Sequence, residues 1–169
     1  MICYYEESSV KRELEHAANF HEIFSLVQAA VRHTINESRA GLNLGIMEMG
    51  NDANKFLGAF YPAGSNIIVL NSTPLRRIGE TNEELFRPYV FHVLLHEYLH
   101  SLGYLDERTV RQLAYRICAK VLGDGHISTR MTSNIDEFFP NLVYPRGSPA
   151  VPDKMILIED LDGGMDYID

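Results

Sequence analysis

HVLLHEYLHSLGYLDE, residues 92–107, carries three histidines four residues apart and a glutamate directly after the second. A step of four residues on a helix turns about 400°, so such residues share one face, about 6 Å apart along the axis. Two imidazoles at that spacing can converge on one ion at ~2.0–2.1 Å. His96 and His100 meet the condition, and so do His92 and His96. All three cannot serve one metal, because His92 and His100 lie ~12 Å apart by the helical rise. Glu97 decides between the pairs. It follows His96, where its carboxylate can reach water at the ion, whereas Val93 follows His92. His92 therefore reads as a neighbouring core histidine. The competing reading is an apolar helix with satisfied histidines. Burying His96, Glu97 and His100 together without a metal or partners would cost several kcal/mol, which weighs against it.

Outward from this stretch, the chain alternates helical and extended patterns. Upstream, Phe20, Ile23, Phe24, Val27, Val31 and Ile35 form one apolar stripe within a helical pattern over residues 9–38. Three strands follow at 42–49, 55–62 and 66–71, separated by the turn-rich NDAN and PAGS. NIIVLN (66–71) is the clearest of them. Thr81 or Asn82 is placed to cap a helix with Glu83 and Glu84 in its first turn, and Pro88 starts or kinks a second segment. The helix from Tyr89 to Leu102 is apolar on a wide face, hence central, and Gly103 ends it. Another helix spans 107–122. Beyond Gly125, four of the seven prolines fall between Pro140 and Pro152, which predicts an extended wrap rather than a helix. The fold expected is α+β: a mixed or antiparallel sheet of three or four strands packed on helices, with a central helix carrying the site.

Length and composition bound the rest. One domain suits 169 residues, with 46% hydrophobic and 22% charged residues. No stretch approaches the ~18–20 apolar residues of a membrane span, and the start lacks a basic segment followed by an apolar one. Cys3 and Cys118 are too few for a disulfide framework or a cysteine metal site, so a reducing, cytoplasmic setting is the expectation. A net charge of -8 with no basic run predicts no nucleic-acid partner.

His96–Glu97–Tyr98–Leu99–His100 is an H-E-x-x-H pattern. The longer stretch HEYLHSLGYLD (96–106) resembles the H-E-x-x-H-x-x-G-x-x-H/D motif of zincin metallopeptidases, of the metzincin-like kind in its aspartate-bearing, snapalysin-like form. The resemblance implies a zincin-like domain over residues 1–152 and one catalytic Zn2+. It further implies His96, His100 and Asp106 as ligands, a sharp turn at Gly103, and Met131 of STRMTSN as the methionine below the site. The helix at 107–122 departs from that family. Gluzincins and minimal peptidases draw a glutamate ligand from a following helix, where this chain offers Glu107. His126 in GDGHIST and Glu137 are further alternatives for the third ligand. Asp106 can equally be a helix N-cap, and His126 a loop histidine.

The reading is then a zinc metallopeptidase acting on peptides or proteins, with Glu97 assisting attack by a zinc-bound water. Tyr104, Tyr61 and His126 are candidate donors to the oxyanion. NIIVLN is the expected rim along which an extended substrate adds as a strand. Two other readings stay open. One is a YbeY-like metal-dependent endoribonuclease, whose motif shares the histidine spacing but carries glycine where Glu97 stands. The other is an inactive zincin scaffold used for binding. Residues 153–169 form an acidic tail with an apolar run, MILI (155–158). Such a run can dock in or near the protein's own cleft and bring Asp160 or Asp162 to the metal.

Overall fold

The computed structural model describes residues 7–49, 56–140, 142–143, 151–152 and 154–158. The helical pattern over 9–38 resolves into two helices, α1 (Glu7–Glu15) and α2 (Phe20–Ile35). Asn19 makes the break. Its Oδ1 accepts the Glu22 N–H at 2.8 Å, while Glu22 Oε2 accepts the Ala18 N–H at 2.6 Å. This is close to the reciprocal logic of a capping box, with the Glu22 carboxylate tied one residue before the cap, and it starts a new helix at Phe20. Helix α2 stops at Asn36, in the left-handed region at φ 56°, a conformation asparagine tolerates better than most residues.

The strands are β1 (Asn43–Met47), β2 (Phe56–Leu57), β3 (Ala59–Phe60), β4 (Ile67–Asn71), β5 (Leu142–Val143) and β6 (Ile156–Leu157). The main sheet runs β3-β4-β1-β6, and β2 pairs with β5 separately. β1 and β4 are parallel, whereas β3 and β6 run antiparallel to their neighbours, so the sheet is mixed. Its faces alternate with period two. Leu44, Ile46, Ile68 and Leu70 enter the main core with the helices, while Phe60, Ile67 and Val69 form a smaller cluster on the other face. β4 is paired on both sides and buried at every residue. NIIVLN is thus an interior strand and cannot be the rim expected for it; β3 holds the edge.

Helix α3 (Ser72–Thr81) was not anticipated. Asn71 caps it, accepting the Thr73 N–H at 3.1 Å. The helix expected to begin at Thr81 or Asn82 is instead a 3-10 turn, Glu83–Leu85, that leads into α4 (Phe86–Ser101). Pro88 lies in the first turn of α4, where its missing N–H has no partner to lose. α4 is buried nearly all round, as a helix apolar on every side must be. α5 (Glu107–Leu122) follows with its periodic face buried. A short helix, α6 (Ile127–Ser133), stands where an extended wrap was expected, and Met131 is buried within it rather than set in a turn.

Part of the tail belongs to this architecture. β6 pairs with β1 at the sheet edge opposite β3, and Ile158 is 2% exposed in the main core. A Cβ at Gly45 would sit 2.9 Å from Met155 Sδ, so the flexible Met155 side chain packs directly over this glycine. Asp160 and Asp162 lie outside the described residues. Truncation after Pro152 should remove a strand and the buried Ile158. Fully burying such a side chain is worth about 1.5–3 kcal/mol, and a chain of this size loses roughly 2–4 °C per kcal/mol. Thermal melts of the truncated chain should therefore fall by about 3–12 °C; an unchanged melting temperature would contradict this role for β6.

Candidate metal centre

α4 presents His96 and His100 one turn apart, with ring centroids 5.0 Å from each other. Below them the chain reverses. Gly103 adopts φ 104°, its N–H donates to the His100 carbonyl at 3.0 Å, and Tyr104 N–H donates to the Leu99 carbonyl at 3.3 Å. Asp106 then caps α5, its Oδ2 accepting from the Thr109 N–H at 3.0 Å and the Thr109 hydroxyl at 2.8 Å. That commitment turns Asp106 toward its own helix and leaves it exposed. The next residue, Glu107, faces the histidines. Its Oε2 lies 2.8 Å from His96 Nε2 and its Oε1 lies 2.9 Å from His100 Nε2.

Among the described residues, His96, His100 and Glu107 form the one group whose ligand atoms lie within 4.8 Å of one another. The structure brings neither Asp106 nor His126 into it. His126 caps α6, with Nδ1 accepting the Ser128 N–H at 3.1 Å, and lies near Lys11 and Glu15. Glu137 pairs with Arg130. His92, buried one turn before His96, stays outside the group. Burial, then the proximity of His96 and of the Arg111 guanidinium, push its pKa down to about 3, so it is neutral. The hydroxyls offered as oxyanion donors are engaged elsewhere: Tyr61 with Ser65 and Arg39, and Tyr104 with Glu37.

The donor set fits a divalent cation of the zinc type. His100 Nδ1 meets the Tyr104 carbonyl at 2.7 Å, which can only accept, so Nδ1 carries a proton. Nε2 of the same ring faces a carboxylate oxygen, also an acceptor. The ring satisfies both only as an imidazolium, or with its Nε2 lone pair aimed at a cation. Burial favours the first possibility little, but Glu107, Glu97 and the Tyr104 carbonyl outweigh it and raise the His100 pKa. His96 is held neutral chiefly by burial, as a ligand requires. Burial opposes ionisation of Glu107, yet its bonds to both histidines hold its carboxyl far below the ordinary range. Nitrogen, nitrogen and carboxylate oxygen make a set that zinc accepts. The His96 side chain is 1% exposed, against 14% for His100 and 41% for Glu107, so the group opens to solvent on the α5 side.

Glu97 is buried beside this group. Burial raises its pKa to about 8; the His100 charge and a backbone N–H bond from Tyr61 pull it down in part, and the Glu107 charge adds to the rise. Sequence reasoning reached His96, Glu97 and His100 through their spacing. The sequence favours Asp106 over Glu107 because Asp106 stands three residues after Gly103, as in the motif it resembles; the direction of the N-cap is what separates the two in space.

The frame is thus a mixed α+β fold with a partly buried histidine–carboxylate group at the end of its central helix. No family model, curated protein or solved structure matches the chain.

Proposed function

We propose that the protein is a zinc-dependent metallopeptidase of zincin type, with His96, His100 and Glu107 as ligands and Glu97 as general base. The observation that carries this reading is the convergence of His96 Nε2 and His100 Nε2 on the two oxygens of Glu107, beside a buried glutamate. Taking the third ligand from the helix after the turn is the gluzincin-like arrangement rather than the metzincin-like one with Asp106. When bound, zinc would polarise a carbonyl oxygen and acidify water.

The chain's own groups supply the remaining work. Glu97, once ionised, can accept a proton from attacking water and, as the acid so formed, return it to the leaving amine; its pKa of about 8 favours the proton-returning form at neutral pH. The Tyr61 N–H orients that carboxylate. β3, immediately before Tyr61, is a sheet edge at which an extended peptide can add as a strand. Its polar backbone groups would then hold a substrate next to Glu97.

The reading is tested by incubating the zinc-loaded full chain with unfolded protein and with RNA, and analysing both products. Peptide cleavage that a chelator abolishes and zinc restores is the expected result. Intact protein alongside cleaved RNA would transfer the assignment to the ribonuclease reading, and zinc binding with neither cleavage would favour a binding role.

A further inference from the structure

The segment between α2 and β1 grips the metal group from outside. Glu37 Oε1 accepts the Tyr104 hydroxyl at 2.8 Å. The carbonyl of that same Tyr104 accepts the Nδ1–H of His100 at 2.7 Å. Two residues further on, Arg39 spans the end of α4 and the turn between β3 and β4. Its backbone N–H donates to the Tyr98 hydroxyl at 3.0 Å. Nη1 donates to the Ser101 carbonyl and to the Tyr61 hydroxyl, both at 2.8 Å, and Nη2 donates to the Ser65 carbonyl at 2.7 Å. Ser101 directly follows His100, and its carbonyl is one of those at a helix end that lack an intrahelical partner. A planar guanidinium fork is suited to tying several carbonyls in fixed directions.

We propose that Glu37 is a positioning residue for His100, acting through Tyr104, and that Arg39 fixes the segment carrying Glu37 to the end of α4. The inference rests on the reading of His96, His100 and Glu107 as a zinc site. Its physical content is orientation. A ring whose Nδ1–H is held by a carbonyl offers its Nε2 lone pair in one direction and in one tautomer. Tyr104 sits in the loop after Gly103, so the direction of its carbonyl depends on what holds its side chain. Glu37 touches neither the ring nor the other ligands in any bond described, so its influence on zinc must pass through the Tyr104 hydroxyl. Deleting either end of that bond should therefore have the same effect, and deleting both should add nothing.

The test is zinc affinity of the full chain, measured by competition with a chromophoric chelator, with melting curves of the metal-free forms as a control. Glu37→Ala and Tyr104→Phe should each weaken binding by about tenfold, the low end for loss of an outer partner of a ligating histidine. The double variant should be weakened by about tenfold as well, not about a hundredfold. Glu37→Gln keeps an acceptor oxygen and should stay within about threefold of the natural chain. Wild-type binding with unchanged affinity in Glu37→Ala and Tyr104→Phe would overturn the proposal, and so would full additivity in the double variant. A natural chain that binds no zinc would overturn the metal reading itself, and the proposal with it, before any variant is compared. If Glu37→Ala fails to fold, Tyr104→Phe, which keeps the ring, decides the outcome alone.

Discussion

Glu107→Ala is expected to weaken zinc binding by at least about a hundredfold, while Asp106→Ala changes it by less than about threefold. Loss of an outer partner of a ligand already costs about 10–100-fold, and loss of the ligand itself should exceed that range. Glu107 alone places both carboxylate oxygens on His96 and His100. Asp106 spends its side chain on the start of α5, so its loss should cost stability instead, through the missing N-cap. Zinc bound only by the native fold adds about 2.7 kcal/mol at a hundredfold excess over its dissociation constant. At roughly 2–4 °C per kcal/mol the natural chain should melt some 5–10 °C higher with zinc. In Glu107→Ala that shift should vanish, and in Asp106→Ala it should persist on a lowered baseline. A shift lost in Asp106→Ala and kept in Glu107→Ala would return the third ligand to Asp106.

Glu97→Gln should lose hydrolysis by about 10²–10⁴-fold, the usual contribution of a general base, with zinc and fold retained. The same substitution should stabilise the metal-free protein at neutral and higher pH. The folded carboxyl has its pKa raised from 4.5 to about 8, mainly by burial. Between those values the folded state holds a proton that the unfolded state releases, so stability falls as pH rises from 4.5 and levels off above about 8. Glutamine has no charge to bury. At pH 8 the metal-free variant should exceed the natural chain by a few kcal/mol in denaturant unfolding, and the gap should close by about pH 4.5. Release of zinc by Glu97→Gln would show that this carboxylate is a ligand rather than a base. A stability gap independent of pH would show that burial of its charge is not what the variant relieves.

Much of the site was legible because its chemistry is local. His96, Glu97 and His100 lie within five residues on one helix, so a spacing rule suffices. α5 was legible because Val110, Ala114, Ile117, Cys118, Val121 and Leu122 keep one helical face. α3 was not: it buries only Pro74, Leu75 and Ile78, too few for a stripe, although Asn71 before Ser72 was a readable cap. α6, seven residues long, is shorter than two helical turns and carries no period. The break at Asn19 was present in the sequence as Asn19 with Glu22 three residues later, but the helical pattern over 9–38 reads straight through it. The edge of the sheet depends on which strands pair across long separations, and an unbroken apolar run says only that a strand is buried. That is why NIIVLN reads as the rim, whereas Ala59–Phe60 stands at the sheet edge. The third ligand was ambiguous for a related reason. Asp106 and Glu107 are adjacent carboxylates at one turn, and the backbone direction set by capping decides which one looks inward.

The most direct test of the account is a crystal of the full chain grown with zinc, with anomalous difference density collected at the zinc edge. The account predicts one strong peak bonded by Nε2 of His96, Nε2 of His100 and the carboxylate of Glu107. A zinc peak at Asp106 or His126, or no peak among His96, His100 and Glu107, would contradict it.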